Sequence, residues 1–214
     1  HGKNWIPGEC DVSIRPGWFY HKAEDSKVKT PEQLFELYLK SVGRGANLLL
    51  NVPPDGRGLI HENDSAALVG FNKLKAESFK NNLAKEGKGY FQRYNANRVT
   101  RALNDDDLAT GEMITLNNLQ TVEIKFEKPE RINCIVLSED LSAGQACAGF
   151  IAYLTNRKYK AVTAIKGTTI GRKKIITFPQ TEVTSIIISI QGQKSSTLIT
   201  EIEAYNIDER LIEK

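Results

Sequence analysis

The chain has 214 residues, of which 40% are hydrophobic, 26% charged and 8% aromatic, and its net charge at pH 7 is +3. This composition is typical of a globular protein and argues against a disordered tail, a collagen-like fibre or a disulfide scaffold. Because the charge is spread over both halves, no nucleic-acid footprint is predicted, and no apolar run reaches the roughly 20 residues of a membrane helix.

Residues 5–21 read WIPGECDVSIRPGWFYH and combine two carboxylates, an arginine and four aromatic side chains with two Pro-Gly pairs. The Pro-Gly pairs predict a rigid loop. Aromatic faces stack on the C–H faces of sugars, and carboxylates carry out the acid–base steps at a glycosidic bond. The segment is therefore a candidate catalytic loop, although a surface loop with a partly buried Trp explains the same composition.

Residues 30–43 are predicted to form a helix. Thr30 is a suitable N-cap, Pro31 takes the first helical position, and Gln33 follows three residues after the cap. Apolar residues then recur at helical spacing on one face, namely Leu34, Leu37, Tyr38 and Val42.

The run ANLLLNV at residues 46–52 is largely apolar on both faces, which predicts a buried parallel strand. A second helix is predicted over residues 65–85. A helix, a buried strand, a polar loop and a helix in this order indicate a βα repeat, as found in α/β barrels and doubly wound sheets.

Beyond residue 87 the apolar residues recur with a period of two. Strands are predicted around 122–126 and near 132–138, 149–155, 159–165, 174–178, 183–191 and 197–205. Turns rich in Gly, Pro, Asn or Lys separate them, and this rhythm is typical of an antiparallel β-sandwich. We therefore predict two domains, residues 1–87 and residues 88–214.

The string at residues 5–21 resembles the acid/base segment of the α-L-fucosidases of glycoside hydrolase family 29. It is most similar to the branch that removes α-1,3/1,4-linked fucose. The string SVGRGANLLLNVPPDGRGLI at residues 41–60 is similar to a late barrel strand of the same family and the loop after it. The resemblance implies that residues 1–87 are the C-terminal part of a (β/α)8 catalytic barrel.

By position, the resemblance makes Glu9 the general acid/base, which protonates the departing glycosidic oxygen and then deprotonates the incoming water. Four further residues are candidates for substrate binding: Asp11, Arg15, Trp18 and Asn51. Their structural alternatives are, in the same order, a turn cap, a salt bridge, core packing and a loop anchor.

A retaining glycosidase also needs a nucleophilic carboxylate about 5 Å from the acid. In the family that the chain resembles, this Asp lies upstream of the acid/base segment, and no residue of 1–87 matches it by motif. We therefore expect the chain alone to be inactive without a missing N-terminal barrel portion. The resemblance further implies a fucosylated oligosaccharide or glycoconjugate as substrate, no catalytic cofactor, and an exported bacterial enzyme.

Residues 88–214 resemble the galactose-binding-like sandwich of the discoidin or coagulation-factor 5/8 C-terminal type. The resemblance is carried by ALNDDDLATG at residues 102–111 and TEIEAYN at residues 200–206. In that fold a D-x-D-x-x-T loop and a Glu on the last strand hold a structural Ca²⁺, a cation that takes six to eight oxygen ligands. The implied ligands are Asp105, Asp107, Thr110 and Glu201, with backbone carbonyls at Ala102 and Thr200.

The calcium prediction has an alternative, a solvated acidic turn, and Asp106 stands where members of that fold family often have Gly. The function has an alternative as well, a non-catalytic carbohydrate-binding or structural sandwich joined to a barrel remnant. Residues 88–214 contain no Trp, and most of their aromatic residues lie in strand patterns. This favours core packing over sugar binding in the second half.

Overall fold

The computed structural model describes residues 6, 8–93, 96–115, 120–142, 144–156, 160–192 and 196–212. The first half contains β1 (Glu9–Ser13), α1 (Pro31–Lys40), β2 (Asn47–Asn51) and α2 (Glu62–Ser78). The second half contains β3 (Lys88–Arg93), β4 (Ala96–Thr100), β5 (Glu112–Thr115), β6 (Thr121–Glu139), β7 (Cys147–Thr155), β8 (Ala161–Gly167), β9 (Lys174–Gly192) and β10 (Ser196–Tyr205). Short 3₁₀ turns occupy Lys22–Lys27 and Glu209–Leu211.

Strands β1 and β2 pair in parallel, with Glu9 opposite Asn47 and Ser13 opposite Asn51. Helix α1 connects them and α2 follows, which is the β-α-β-α order of the predicted repeat. Glu9–Ser13 forms a strand where the sequence predicts a loop, because its partner strand lies far along the chain. Within this chain Leu49 of β2 is 51% exposed, while Leu50 packs into the core below α1, so burial of β2 on both faces stays a prediction.

Helix α1 begins as predicted. The Thr30 hydroxyl accepts a hydrogen bond from the Gln33 backbone N–H at 3.3 Å, and the Gln33 side chain accepts one from the Thr30 N–H at 2.9 Å. This is a complete capping box, which fixes the first turn.

Helix α2 spans Glu62–Ser78 instead of the predicted residues 65–85. Its N-cap is His61, whose ring Nδ1 accepts a hydrogen bond from the Asn63 N–H at 3.2 Å. After the helix, the Leu83 N–H donates to the Ala204 carbonyl at 2.8 Å, which ties this segment to the last strand of the sheet.

Strands β3–β10 are hydrogen-bonded into one continuous antiparallel network in the described residues, and the sandwich stays a prediction. The network is continuous because β6 and β9 are each 19 residues long and pair with each other through both halves of the sheet. Each merges two strands that the sequence predicts as separate. Their mutual register shifts on either side of Glu130–Ile132, near Pro129 and Pro179, where a proline without an N–H is tolerated.

The strands enclose one hydrophobic core. Its buried members come from six strands and include Phe91, Ile114, Ile124, Ile135, Phe150, Ile188 and Ile202. A second cluster joins the helices to the outer face of the sheet, with Phe35, Tyr38, Phe71 and Phe79 packed on Cys134, Val136, Ile175 and Tyr205. The rings of Phe79 and Tyr205 meet edge-on with centroids 5.1 Å apart.

The predicted boundary at residues 87/88 coincides with the start of β3, and the division into two domains stays a prediction. In the described part of the chain, no helix has the length and apolar character needed to cross a membrane.

Candidate functional site

The carboxyl ends of β1 and β2 lie at the same edge of the parallel pair, because Ser13 and Asn51 are in register. In parallel βα proteins, the loops that leave this edge of the sheet form the ligand site. Here those loops are residues 14–21 after β1 and residues 52–61 after β2. The Ile14 N–H donates to the Asn51 carbonyl at 3.0 Å and holds the two loop bases together.

Arg15 follows β1 and is almost completely buried, at 1% exposure. Its Nε and Nη2 donate to the two carboxylate oxygens of Asp64 at 3.0 and 2.5 Å, and its Nη1 donates to Asp25 at 3.0 Å. The guanidinium also lies over the Tyr20 ring at 4.7 Å from the centroid. Arg15 therefore forms a buried salt bridge inside the loop base, the alternative to its predicted sugar contact.

Asn51 ends β2 and holds the loop that follows β1. Its Nδ2 donates to the Ser13 hydroxyl at 3.1 Å and to the Trp18 carbonyl at 2.9 Å. Both amide hydrogens are thereby used within the protein, so the structure favours the loop-anchor interpretation. The Trp18 side chain is 49% exposed, which argues against core packing and leaves an aromatic surface available at this edge.

Glu9 lies at the opposite end of β1 from these residues, opposite Asn47, and Asp11 lies halfway along the strand. At about 3.3 Å per residue, Glu9 is roughly 13 Å from Ser13 along the strand. Both carboxylates are exposed. The structure therefore brings Arg15, Trp18 and Asn51 together but not Glu9 or Asp11, and the acid/base role of Glu9 stays a prediction. Trp5, predicted to be a packing residue, lies outside the described residues.

Sequence reasoning missed the partners that build this edge. His61 contributes a ring 6.0 Å from that of Tyr20, with its Nε2 3.4 Å from Asp25 Oδ2. Asp64, at the first turn of α2, is fully buried beneath the loop. Nothing in the spacing indicates that it reaches Arg15, 49 residues earlier.

The loop after β2 is a turn built on Asp55. Its carboxylate accepts hydrogen bonds from the Arg57 side chain at 2.9 and 2.6 Å, and these bonds hold the Asp55 pKa at about 2. The Gly58 N–H closes the turn on the Asp55 carbonyl at 2.9 Å. Asp55 is thus an ionised, structurally committed carboxylate.

The predicted calcium loop is compact. Asp105 accepts hydrogen bonds from the Asp107 N–H at 3.0 Å and from the Thr110 hydroxyl at 2.8 Å. Asp107 in turn accepts the Ala109 N–H at 2.9 Å. Asp106 has a φ of +63°, in the left-handed region that Gly adopts readily, and forms an ion pair with Lys85.

Glu201 reaches this loop from β10. It is 2% exposed, and neither carboxylate oxygen has a hydrogen-bond partner among the described groups. Burial, together with repulsion by Glu203, Asp105 and Asp106, raises its pKa to about 8. The Asp106 backbone N–H favours the charged form, but it does not satisfy hydrogen-bond geometry.

Glu201 also lines a cavity of about 650 Å³ between the sheet and the amino end of β2. Acidic and basic groups share the walls, namely Asp106, Glu201, Glu203, Arg172 and Lys173. Among the described residues, no three His, Cys, Asp or Glu side chains converge in a metal-binding arrangement. A cation here would therefore depend on hydroxyl and carbonyl oxygens as well as on carboxylates, as Ca²⁺ sites commonly do.

Known proteins resemble this chain along nearly its whole length. Residues 3–76 match the family model described as alpha-L-fucosidase. Alpha-L-fucosidase 1 of Arabidopsis thaliana is 32% identical over 217 residues, which cover 96% of this chain and 42% of the relative. The chain spans about two fifths of the length of the curated relatives it matches.

Solved structures show the same similarity to α-L-fucosidases. The crystal structure of SpGH29 is 32% identical, has a TM-score of 0.82, and is matched over 94% of this chain and 44% of its own. A GH29 fucosidase of Ruminococcus gnavus in complex with fucose is 25% identical, has a TM-score of 0.85, and is matched over 99% of this chain and 43% of its own. Family model, curated relative and solved structures together support the assignment of this chain to the α-L-fucosidase family, glycoside hydrolase family 29.

Proposed function

We propose that this chain is part of a retaining exo-α-L-fucosidase that hydrolyses terminal α-1,3/1,4-linked L-fucose from oligosaccharides or glycoconjugates. The observation that carries the proposal is the similarity to α-L-fucosidases over 96% of the chain. The half-exposed Trp18 at the carboxyl edge of β1 and β2 supports it, because an aromatic face suits the apolar face of a sugar.

In this proposal, residues 1–87 form the last part of a (β/α)8 barrel and residues 88–214 a galactose-binding-like domain. The β-α-β-α order of the first half and the antiparallel strands of the second support that division. The nucleophile belongs to a part of the enzyme outside this chain. We further propose that the enzyme is exported and degrades glycans in a bacterial setting, on the resemblance alone.

Glu9 is the proposed general acid/base. As the acid it would protonate the glycosidic oxygen as fucose leaves, and as the base it would accept a proton from the water that releases fucose from the enzyme. Its match to the motif supports the role, whereas its place at the amino end of β1, about 13 Å along the strand from Ser13, does not support it.

The test of Glu9 is the variant Glu9→Gln in the full-length protein, with Glu36→Gln on the exposed face of α1 as the matched control. We expect kcat/KM on an unactivated fucosyl oligosaccharide to fall by about 10²–10⁴-fold, the usual contribution of a positioned acid. Fucosyl transfer from a substrate with a good leaving group should fall much less. Normal turnover of the unactivated substrate by Glu9→Gln would assign the acid to another residue.

We also propose that Glu201, Asp105, Asp107 and Thr110, with the carbonyls of Ala102 and Thr200, hold a structural Ca²⁺. The fit rests on Glu201, a buried carboxylate whose two oxygens lack partners and whose neighbours Asp105 and Asp106 are acidic. A bound Ca²⁺ would supply positive charge to this cluster. Its role is structural, and no step of hydrolysis depends on it.

Linkage preference is tested with trisaccharides that carry fucose in α-1,2, α-1,3 or α-1,4 linkage. The full-length protein should release fucose from the α-1,3 and α-1,4 compounds at least tenfold faster than from the α-1,2 compound. NMR of the first-formed product should show the α-anomer, the outcome of retention. Preference for the α-1,2 linkage would contradict the specificity, and a β-anomer would contradict the retaining mechanism.

A further inference from the structure

We propose that Asn51 is a positioning residue that locks the loop carrying Trp18, so that Trp18 forms a fixed wall of the sugar site. The proposal deepens the fucosidase function above and rests on it. Asn51 acts in this account through Trp18 and does not itself touch the sugar.

Two side chains at the carboxyl ends of β1 and β2, Ser13 and Asn51, tie the loop at both of its ends. Asn51 Nδ2 donates to the Ser13 hydroxyl and to the Trp18 carbonyl, at 3.1 and 2.9 Å. The Ser13 hydroxyl donates to the Gly17 carbonyl at 2.7 Å and accepts the Arg15 N–H at 3.3 Å. Residues 13–18 are therefore closed into a ring of hydrogen bonds with Asn51 at its junction.

Ion pairs of Arg15 hold the base of the same loop. Arg15 is buried in bidentate contact with Asp64 and also bonds to Asp25, so the loop base cannot slide along β1 without breaking these pairs. The Asn51 bonds act at the other end of the loop, on the Trp18 carbonyl. These anchors together fix the backbone from which the indole projects.

A loop that is already ordered lowers the entropic cost of binding a ligand. An exposed indole on a free loop would lose conformational entropy when a sugar stacks on it, whereas a pre-ordered one loses little. Because the indole stays 49% exposed, the bonds that fix its backbone leave its face open to a ligand. An Asn is required at position 51 since both bonds are donated by its amide nitrogen, and an Asp of equal size donates neither.

The experiment uses the full-length protein with Asn51→Asp, Trp18→Ala and the double variant, and Asn72→Ala on an exposed position of α2 as the control. Hydrogen exchange of the peptide covering residues 14–20 reads the loop directly. Steady-state kinetics on an aryl α-L-fucoside give KM and kcat separately. A stacking contact of about 1.4 kcal/mol corresponds to a tenfold effect.

We expect Asn51→Asp to speed exchange at residues 14–20 at least tenfold, with α1 and β6 unchanged, and to raise KM about tenfold with kcat within threefold. In the Trp18→Ala background it should add less than a twofold change in KM, because Asn51 acts through the indole. Unchanged exchange would overturn the lock, and a full additive effect on KM would overturn its action through Trp18. Absence of fucosidase activity in the wild type would instead overturn the proposed function, while the exchange data still test the lock.

Discussion

At the scale of single residues, the ion pair between Arg15 and Asp64 shows how a buried charge organises the candidate site. Both side chains are fully shielded from solvent, and the guanidinium is shared with the more exposed Asp25. A buried charge that loses its partner pays the full desolvation penalty, unlike a charge at the surface. The loop that presents Trp18 therefore depends on Asp64, a residue on a different element.

We expect Asp64→Ala to lower the free energy of unfolding by about 3–5 kcal/mol, since it leaves the Arg15 charge buried. The matched control is Glu36→Ala, which breaks the exposed pair with Lys40 and should cost about 0.5 kcal/mol or less. Urea unfolding followed by circular dichroism measures both. Equal, small losses of unfolding free energy in the two variants would show that the Arg15 charge becomes hydrated or pairs with another group.

Glu201 makes stability depend on pH and, if the proposed site binds Ca²⁺, on calcium. Burial raises its pKa to about 8 from 4.5, so the folded state favours the protonated carboxyl. This stabilising contribution is complete below about pH 4.5 and is lost as the pH rises through 8. In the presence of a chelator, we expect stability to fall by on the order of 2 kcal/mol between pH 5 and pH 8.5.

Glu201→Gln should remove that decrease, whereas the exposed control Glu182→Gln should keep it. Added Ca²⁺ at pH 8 should raise the melting temperature of the wild type by about 5 °C and leave Glu201→Gln unchanged. Thermal denaturation with and without chelator tests this. A melting temperature of the wild type that a chelator leaves unchanged at pH 8 would rule out the calcium site.

At the scale of elements, the turn between α1 and β2 is held against β9. The Gly43 carbonyl accepts the Ile175 N–H at 2.8 Å, and a Cβ at Gly43 would lie 2.4 Å from the Leu39 carbonyl oxygen and 3.0 Å from Ile175 Cβ. The Leu39 carbonyl oxygen belongs to the backbone of α1, so it cannot move aside as the end of a flexible side chain can. Close approach of backbone, rather than turn conformation, is the reason for a glycine here.

Gly43→Ala should therefore destabilise the chain by about 1–3 kcal/mol through overpacking. Gly56→Ala is the matched control, because a Cβ there meets nothing within 4 Å and its φ is not positive, so its effect should stay within about 0.5 kcal/mol. Thermal melts of both variants provide the comparison. Equal stability of the two variants would mean that the α1–β2 turn moves away from β9 at no cost.

Local signals in the sequence predict the elements that are built locally. The capping box of Thr30 and Gln33 marks the start of α1 correctly, and the alternation of apolar residues marks β7 and β10. Pro129 and Pro179 predict breaks between separate strands. In the structure each lies within a long strand, where a shift in the register of β6 and β9 tolerates a proline. The strand at Glu9–Ser13 depends on pairing with a distant segment, which a local pattern does not contain.

In the candidate site, too, local signals predict some features, whereas contacts between distant segments determine others. The motif indicates that residues 5–21 matter, but it leaves Trp18 open between a sugar contact and core packing. It likewise leaves Arg15 and Asn51 open between a structural and a binding role. Those roles are decided by Asp64 and by the Trp18 carbonyl, 49 and 33 residues away in sequence. Glu9 matches the motif, yet the register with Asn47 places it at the other end of β1.

At the scale of the whole molecule, the helices and the sheet share one aromatic cluster. Phe35, Tyr38 and Phe79 lie on the helix side and Tyr205 on the last strand, with the Phe79 and Tyr205 rings in direct contact. Apolar packing of this kind favours a fixed arrangement over two independently moving domains. The sheet therefore packs directly against the helices of the half that carries the candidate site.

The most direct test of the proposed function is hydrolysis of 4-nitrophenyl α-L-fucoside by the full-length protein, beside the α-D-galactoside and the β-D-fucoside. We expect kcat/KM for the α-L-fucoside to exceed that for each of the other two by at least about 10³-fold, as a site that hydrogen-bonds its own sugar would require. A folded full-length protein that releases no nitrophenol from the α-L-fucoside above the uncatalysed rate would contradict the account.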